Sequence, residues 1–324
     1  MHGAGIPGPM HETALEAFRL HLENWESIRD LAGIEFSPRR AARLHLAMDD
    51  RDIEALDRTR QVYDATPGFT ASWVEPDELA AIEPGLSPTA RRGLWTEGNA
   101  KVDSAAYTRA VARAARELGG VTLPAEVRGL RHARRRVTGL VLDSGVLNCG
   151  GVVIASGAWC AEPARWLGIP LPVEPVRGEM LLVEARRGLG TDLAWRKTAA
   201  YGTRGRKVWL GGTEDRVGLD AAPSNGGRAS ILERAARLLP RVSRARVLRQ
   251  TAALRPVTAD GAPILGLAPG WENACLALGS GRKGVLLSAA LGRAAADLLS
   301  VGSTDVQIGP CSPQRCFTLS AHAA

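Results

Sequence analysis

The sequence predicts a mixed α/β (α+β) protein in which a parallel α/β layer is interleaved with a second, mainly antiparallel sheet. Three observations point there. Over residues 12–31, Leu15, Phe18, Leu22, Trp25, Ile28 and Leu31 recur at intervals of three and four, the period of a helix with one apolar stripe. Gly151-Val152-Val153-Ile154-Ala155 is apolar without alternation, as a strand buried on both faces of a parallel layer would be. Ser156-Gly157-Ala158-Trp159 then opens a turn at the strand's end, where ligands gather in α/β layers. From Pro172 to about Val257 the texture changes to longer strands at 176–185, 206–211 and 247–255, broken by one helix at 229–239. That pattern reads as antiparallel sheet with one crossover.

The remaining elements fit between these. Leu44, Leu46 and Met48 alternate like a half-buried strand, and Ile53, Leu56 and Val62 suggest a helix. Glu75-Pro76-Asp77-Glu78 suits a helix start, where proline's missing N–H costs nothing and acids meet the positive dipole end; this helix should stop before Pro84. Asp103 is placed to cap a helix over 104–118, which Gly119-Gly120 would end. Strand-like runs occur at 126–130 and 137–142, and the last third returns to an apolar strand (274–278), a glycine loop and a helix from about 284 to 299. The chain therefore re-enters its first unit.

At 324 residues with 45% apolar side chains, the chain can bury a large core. Its net charge of +7 is built mostly from arginine, with only Lys101, Lys197, Lys207 and Lys283 as lysines, spread along the whole chain. No basic stripe interleaved with aromatics and no reader motif occurs, so no nucleic-acid partner is expected. The densest cluster, residues 131–136, lies between two strand-like runs and reads as a solvated hairpin turn. No charged segment precedes a long apolar run, so neither signal peptide nor membrane anchor is indicated. Five cysteines at unrelated spacings argue for reduced thiols in a cytoplasmic protein, and against disulfides or a zinc site. His2, His11 and His21 are too far apart for one helical face and read as surface residues; no metal site is expected.

Gly279-Ser280-Gly281-Arg282-Lys283-Gly284 is a literal G-x-G-x-x-G between a strand and a helix. A dinucleotide fingerprint also needs a further strand with an acid about 20 residues on. The residues after Gly284 look like one helix and an irregular tail. Nor is this a P-loop, since glycine comes directly after Lys283. A tight turn required by packing is the alternative that the spacing leaves open.

Several motifs in register resemble one family. Leu254-Arg255-Pro256, Asp260 to Gly266 and Leu278 to Leu287 are similar to the C-terminal signature of the glycine oxidase, sarcosine oxidase and D-amino-acid oxidase group of FAD-dependent enzymes. Val102-Asp103, Val152 to Trp159, Pro175-Val176-Arg177-Gly178-Glu179-Met180 and Gly211 to Asp215 agree in order and spacing. The likeness runs from about Gly3 to Phe317. It implies a Rossmann-like FAD-binding domain (residues 1–40, 98–171 and 258–324) interleaved with a substrate-binding sheet domain (41–97 and 172–257).

The resemblance also implies roles. Gly279, Ser280, Gly281, Arg282, Lys283 and Gly284 would lie beside the flavin, with the next helix aimed at its pyrimidine edge. A helix N-terminus suits the negative charge of the reduced ring. Ala155, Ser156, Gly157 and Trp159 would meet the pyrophosphate and ring region, and Val127 the adenine side. Arg255 and Arg282 match arginines that bind the substrate carboxylate, a task for which a planar, always-charged fork is suited. Tyr201 would add a third contact. A structural ion pair for Arg255, and a solvated loop for Arg282, remain the alternatives.

The implied reaction is oxidation of the Cα–N bond of a small amino acid by hydride transfer to flavin N5. No side-chain base is expected, because the work is positioning. One part of the family pattern is not found: an N-terminal strand, G-x-G-x-x-G turn and helix. His2 to Gly8 resembles the later loop that covers the pyrophosphate, so the first βαβ unit is expected to be missing and FAD to be held poorly. Three readings stand: an active enzyme with a late-placed start, a remnant or binding subunit without FAD, or a split enzyme completed by another chain. A homo-oligomer or a complementing subunit is accordingly the expected protein partner.

Overall fold

The computed structural model describes residues 1, 8–203 and 205–321, so the expected pyrophosphate-covering stretch lies, but for Gly8, outside the described residues. Helix α1 (His11–Ala32) realises the predicted stripe, with Ala14, Ala17, Phe18 and Trp25 buried. It packs against α4 (Ser104–Glu117), whose Asp103 cap accepts from the Ala106 amide at 2.9 Å, and against α7 (Gly284–Ser300). Phe36 and Leu286 close the same core.

His21 corrects the surface reading: it is 1% exposed, between α1, α4 and α7. Its Nε2–H donates to the Val285 and Leu286 carbonyls at 2.7 and 3.0 Å, while Tyr107 donates its hydroxyl to Nδ1 at 3.0 Å. These bonds explain how a polar ring is tolerated on an apolar stripe.

Eight strands form the large sheet: β1 (Arg39–Ala47), β2 (Thr70–Val74), β3 (Arg92–Lys101), β8 (Val173–Glu184), β9 (Asp192–Trp195), β10 (Thr198–Gly202), β11 (Lys207–Gly211) and β12 (Arg246–Thr258). Their order across it is β12-β8-β11-β10-β9-β1-β3-β2. All pairs are antiparallel except β1 with β9. Helix α2 (Asp50–Asp64) comes after β1, and α3 (Pro76–Ile82) starts at the predicted proline with Glu75 and Glu78 forming a capping box.

The period of two gives this sheet two unlike faces. Leu44, Leu46, Leu181, Val183, Val208 and Leu210 are at most 1% exposed, on the face covered by α6 (Asn225–Leu238). On the other face Arg43, Tyr201, Trp209, Leu182 and Met180 are only half-buried.

The parallel layer is small: β13 (Ile264–Leu267), β14 (Ala274–Leu278) and β7 (Val152–Ile154), with β14 and β7 parallel. Among the described residues β7 pairs on one side only, and Val153 is 40% exposed. The expectation of burial on both faces is therefore wrong for this strand: Ile154 is buried and Val153 is not, so only one face is covered. A hairpin and a third strand form a separate sheet: β4 (Val127–Ala133), β5 (Arg136–Leu142) and β6 (Gly145–Asn148). The 131–136 arginines occupy its exposed turn. Short helices α5 (Ala161–Leu167) and α8 (Arg315–Ala321) complete the fold. All five cysteines are free, and no described helix is long and apolar enough to cross a membrane.

His21 supplies a pH test. Burial lowers its pKa below the ordinary value of about 6.5, against the opposing pull of the two carbonyls. The unfolded chain thus binds a proton first, so this contribution to stability is full above pH about 6.5 and is lost as pH falls below it. His21→Gln keeps a donor for Val285 without titrating there. Urea midpoints should show the parent losing up to about 1 kcal/mol more per pH unit than the variant between pH 6.5 and 5. Parallel profiles would mean that folding does not shift the titration of His21.

Candidate active site

Two turns begin at the carboxyl ends of the neighbouring parallel strands β7 and β14, where an α/β layer presents its ligand crevice. After β7, the Trp159 amide donates to the Ser156 carbonyl at 3.0 Å, and Gly157 takes φ +61°. Ser156 and Gly157 are half-buried, whereas Ala155 and Trp159 are exposed. After β14, Gly279 to Gly284 makes a tight loop with a 3-10 turn at Gly281–Lys283, then enters α7. No strand comes after α7 among the described residues, which separates this loop from the dinucleotide fingerprint.

The loop is held against the large sheet. Ser280 forms a β-bridge with Val257, and Gly279 has φ +72°. A Cβ at Gly279 would stand 2.6 Å from Thr258 Cγ2, so this contact requires glycine. The N-terminus of α7 thereby approaches the half-open face of the sheet.

That face forms a floor. Register places Arg43 of β1, Tyr201 of β10, Trp209 of β11 and Leu182 of β8 on the same side. Arg255 joins them from β12, opposite Val176. Arg255 Nη1 donates to the Thr213 carbonyl at 2.9 Å. Burial and the neighbouring Arg282 lower its pKa, and Glu214, Asp215 and Tyr201 oppose that shift. Arg282 is 49% exposed and bonded to Glu214, which also accepts from Lys197 Nζ at 3.0 Å. Burial opposes ionisation of Glu214, but the bonds from Arg282 and Lys197 outweigh it and hold its carboxyl below the ordinary range.

Tyr201 lies beneath two cations, with Arg43 Cζ 5.1 Å and Lys101 Nζ 5.8 Å from its ring centroid. Lys101 is paired with Asp192 at 2.6 Å. Burial first, then Arg43 and Arg282, pushes the Lys283 amine below its usual pKa. Among the described residues, Arg43 Nε is buried without a hydrogen-bond partner. Among the expected residues, Arg255, Arg282, Tyr201 and the glycine loop thus converge. Val127 stands apart, half-buried at the start of β4.

Sequence reasoning missed Arg43 and the ionic role of Glu214. Arg43 was legible, because Leu44 and Leu46 fix one face of β1 and leave Arg43 on the other. Among the described residues no group of three or more His, Cys, Asp or Glu side chains is placed to hold a metal ion.

Two loops at parallel strand ends, one of them bridged to a large antiparallel sheet, are the layout of an α/β protein that holds a nucleotide cofactor over a separate substrate surface. The chain belongs to the family described as FAD dependent oxidoreductase (DAO), whose sequence model matches residues 2–298. It is 30% identical over 312 residues to the glycine oxidase of Geobacillus kaustophilus, covering 95% of this chain and 82% of that protein. Against the glycine oxidase of Pseudomonas aeruginosa it is 30% identical over 244 residues, 73% of this chain and 66% of the relative. The crystal structure of the Geobacillus kaustophilus glycine oxidase superposes with a TM-score of 0.89 at 28% identity, covering 97% of this chain and 86% of that one. The protein is therefore an FAD-dependent oxidoreductase.

Proposed function

We propose that this protein oxidises the Cα–N bond of a small amino acid such as glycine, sarcosine or a D-amino acid. The observation that best supports this is Arg255, a guanidinium on the sheet floor with one donor bonded to Thr213 and the rest of its fork available for a carboxylate. The names of the relatives favour an amino-acid substrate.

In this reading the FAD-binding part comprises residues 1–40, 98–171 and 258–324, and the substrate part 41–97 and 172–257. Gly279 to Gly284 and the start of α7 would hold the pyrimidine edge of FAD, Ala155 to Trp159 the pyrophosphate and ring region, and Val127 the adenine side. The desolvated Lys283 amine and the unpartnered Arg43 Nε suit a group that gains negative charge on reduction. Bound there, FAD would supply the two-electron acceptor for the hydride that leaves the substrate's Cα.

The chain's own residues act by position. Arg255 would anchor the carboxylate, and Tyr201 would stand beside it on the same face. Arg282, engaged with Glu214, would be the secondary contact. A floor rich in cations favours the neutral amine over the ammonium, which readies the Cα–N bond for oxidation without a side-chain base. The imino acid then leaves and is hydrolysed by water.

Lys283→Met in the flavin-loaded protein should lower the flavin midpoint potential, because a cation beside the ring stabilises the reduced form. A shift of roughly 20 mV corresponds to about 1 kcal/mol for two electrons. An unchanged potential in a spectroelectrochemical titration would remove Lys283 from the ring's surroundings.

Arg255→Ala tests the reading itself. Truncating one partner of a desolvated charge pair costs about 2–5 kcal/mol, so kcat/KM for amino acids should fall roughly 30-fold to several thousandfold. An amine of the same shape without the carboxylate should be hardly affected. Equal losses on both would make Arg255 a support of the fold and sink the assignment.

A further inference from the structure

Arg255 starts from an unfavourable place. It belongs to β12, the outermost strand of the eight, so its backbone lies at the margin of the floor and not over it. Its guanidinium nevertheless ends at the Thr213 carbonyl, just beyond β11, two strands further in. To get there the side chain must cross β8. It crosses at Gly178, which lies on the same face as Arg255: Arg255 pairs with Val176 and Ala253 with Gly178.

The crossing leaves no space for any side chain. A Cβ built on Gly178 would lie 1.9 Å from Arg255 Nη1, 2.1 Å from Cζ and 2.1 Å from Nη2. Three heavy atoms of the guanidinium thus occupy the place where every other residue type has its first side-chain carbon. Gly212 adds a looser second side to the seat, with a Cβ there 3.6 Å from Nη2 and 3.2 Å from the Glu179 carbonyl. The fit is directional, since a planar fork laid on bare backbone with one donor bonded to a carbonyl has little freedom to swing.

We infer that Gly178 is a positioning residue for substrate recognition: its missing side chain is the slot through which an edge-strand arginine reaches the floor of the active site. Gly178 touches no substrate. It sets where the Arg255 fork points, and so which carboxylates the site accepts. With any side chain at 178, Arg255 must lift off the sheet or turn outward past the edge of β12, and the carboxylate loses its partner while the rest of the cleft stays in place. Glycine is not required here by backbone conformation, because Gly178 is absent from the positive-φ residues. The three atoms nearest the missing Cβ all belong to the guanidinium.

The inference rests on Arg255 being the carboxylate anchor, and a double-mutant cycle separates the two claims. Gly178→Ala, Arg255→Ala and the double variant are compared in the flavin-loaded protein, with an amino acid and with the matching amine that lacks the carboxylate. Binding of acetate is also followed by tryptophan fluorescence in each variant without flavin, using Trp209 on the same floor. Gly178→Ala should weaken kcat/KM for the amino acid on the order of 30-fold to several thousandfold, the range set for losing Arg255. It should spare the amine, weaken acetate binding, and add nothing further in the Arg255→Ala background.

If Arg255→Ala affects both substrates alike, the carboxylate-anchor reading fails. If Arg255→Ala is carboxylate-specific but Gly178→Ala is silent, or the two losses multiply, the slot fails and the anchor survives. Should Gly178→Ala not fold, the double variant decides. Recovery of folding once the arginine is gone identifies the clash as the cause. Failure of both places the need for glycine in the sheet and overturns the proposal.

Discussion

The candidate site depends on how closely Gly279 approaches Thr258. β14 ends at Leu278 and α7 begins at Gly284, so the short loop between them decides where the helix N-terminus points. With no side chain at Gly279, the loop can lie on β12, bridged through Ser280 to Val257. A β-carbon would push the loop away from Thr258, and Arg282 and Lys283 would move with it. One close contact therefore joins the parallel layer to the sheet floor and makes a single cleft of two separate structures.

Inside that cleft the charges are arranged unevenly. Lys101 is balanced by Asp192, whereas Arg282 and Lys197 share the single carboxylate of Glu214 and leave one positive charge over. Arg255 keeps most of its donors, Arg43 keeps an unpartnered Nε, and Lys283 is desolvated beside two arginines. Unbalanced positive charge in a low-dielectric place is unfavourable for the protein alone and becomes favourable when anionic groups enter. Both partners of the proposed reaction bring such groups, the carboxylate of the substrate and the reduced ring of the cofactor.

Much of the fold could be read from local pattern. Helices α1, α4 and α7 obey helical period and capping residues, and β8 and β12 stand out as long strand-like runs. Strands β9 and β10 were not seen, because four- and five-residue strands joined by a tight turn lack a period long enough to recognise. His21 was misread even though it stands three residues after Phe18 and four before Trp25, on the apolar stripe itself. Arg255, Arg282 and the glycine loop were found through motif likeness. Gly178 lay within a quoted motif, yet its role could not be seen, since it arises from the pairing of strands whose two residues stand 77 positions apart. Contacts made by register between distant segments leave no trace in either segment read alone.

The preference for guanidinium over amine has a consequence for how the cleft meets a changing solution. Arginine keeps its proton throughout the range in which proteins survive. The guanidinium share of the potential over the floor therefore persists as the medium turns alkaline, while the Lys283 amine, its pKa lowered by burial, gives up its share. A free amino acid in the same medium sheds its ammonium proton and arrives increasingly as the species that can be oxidised, with its carboxylate unchanged. Recognition and reactivity then answer to different chemical variables: one is buffered by the protein's choice of cation, and the other is left to the substrate.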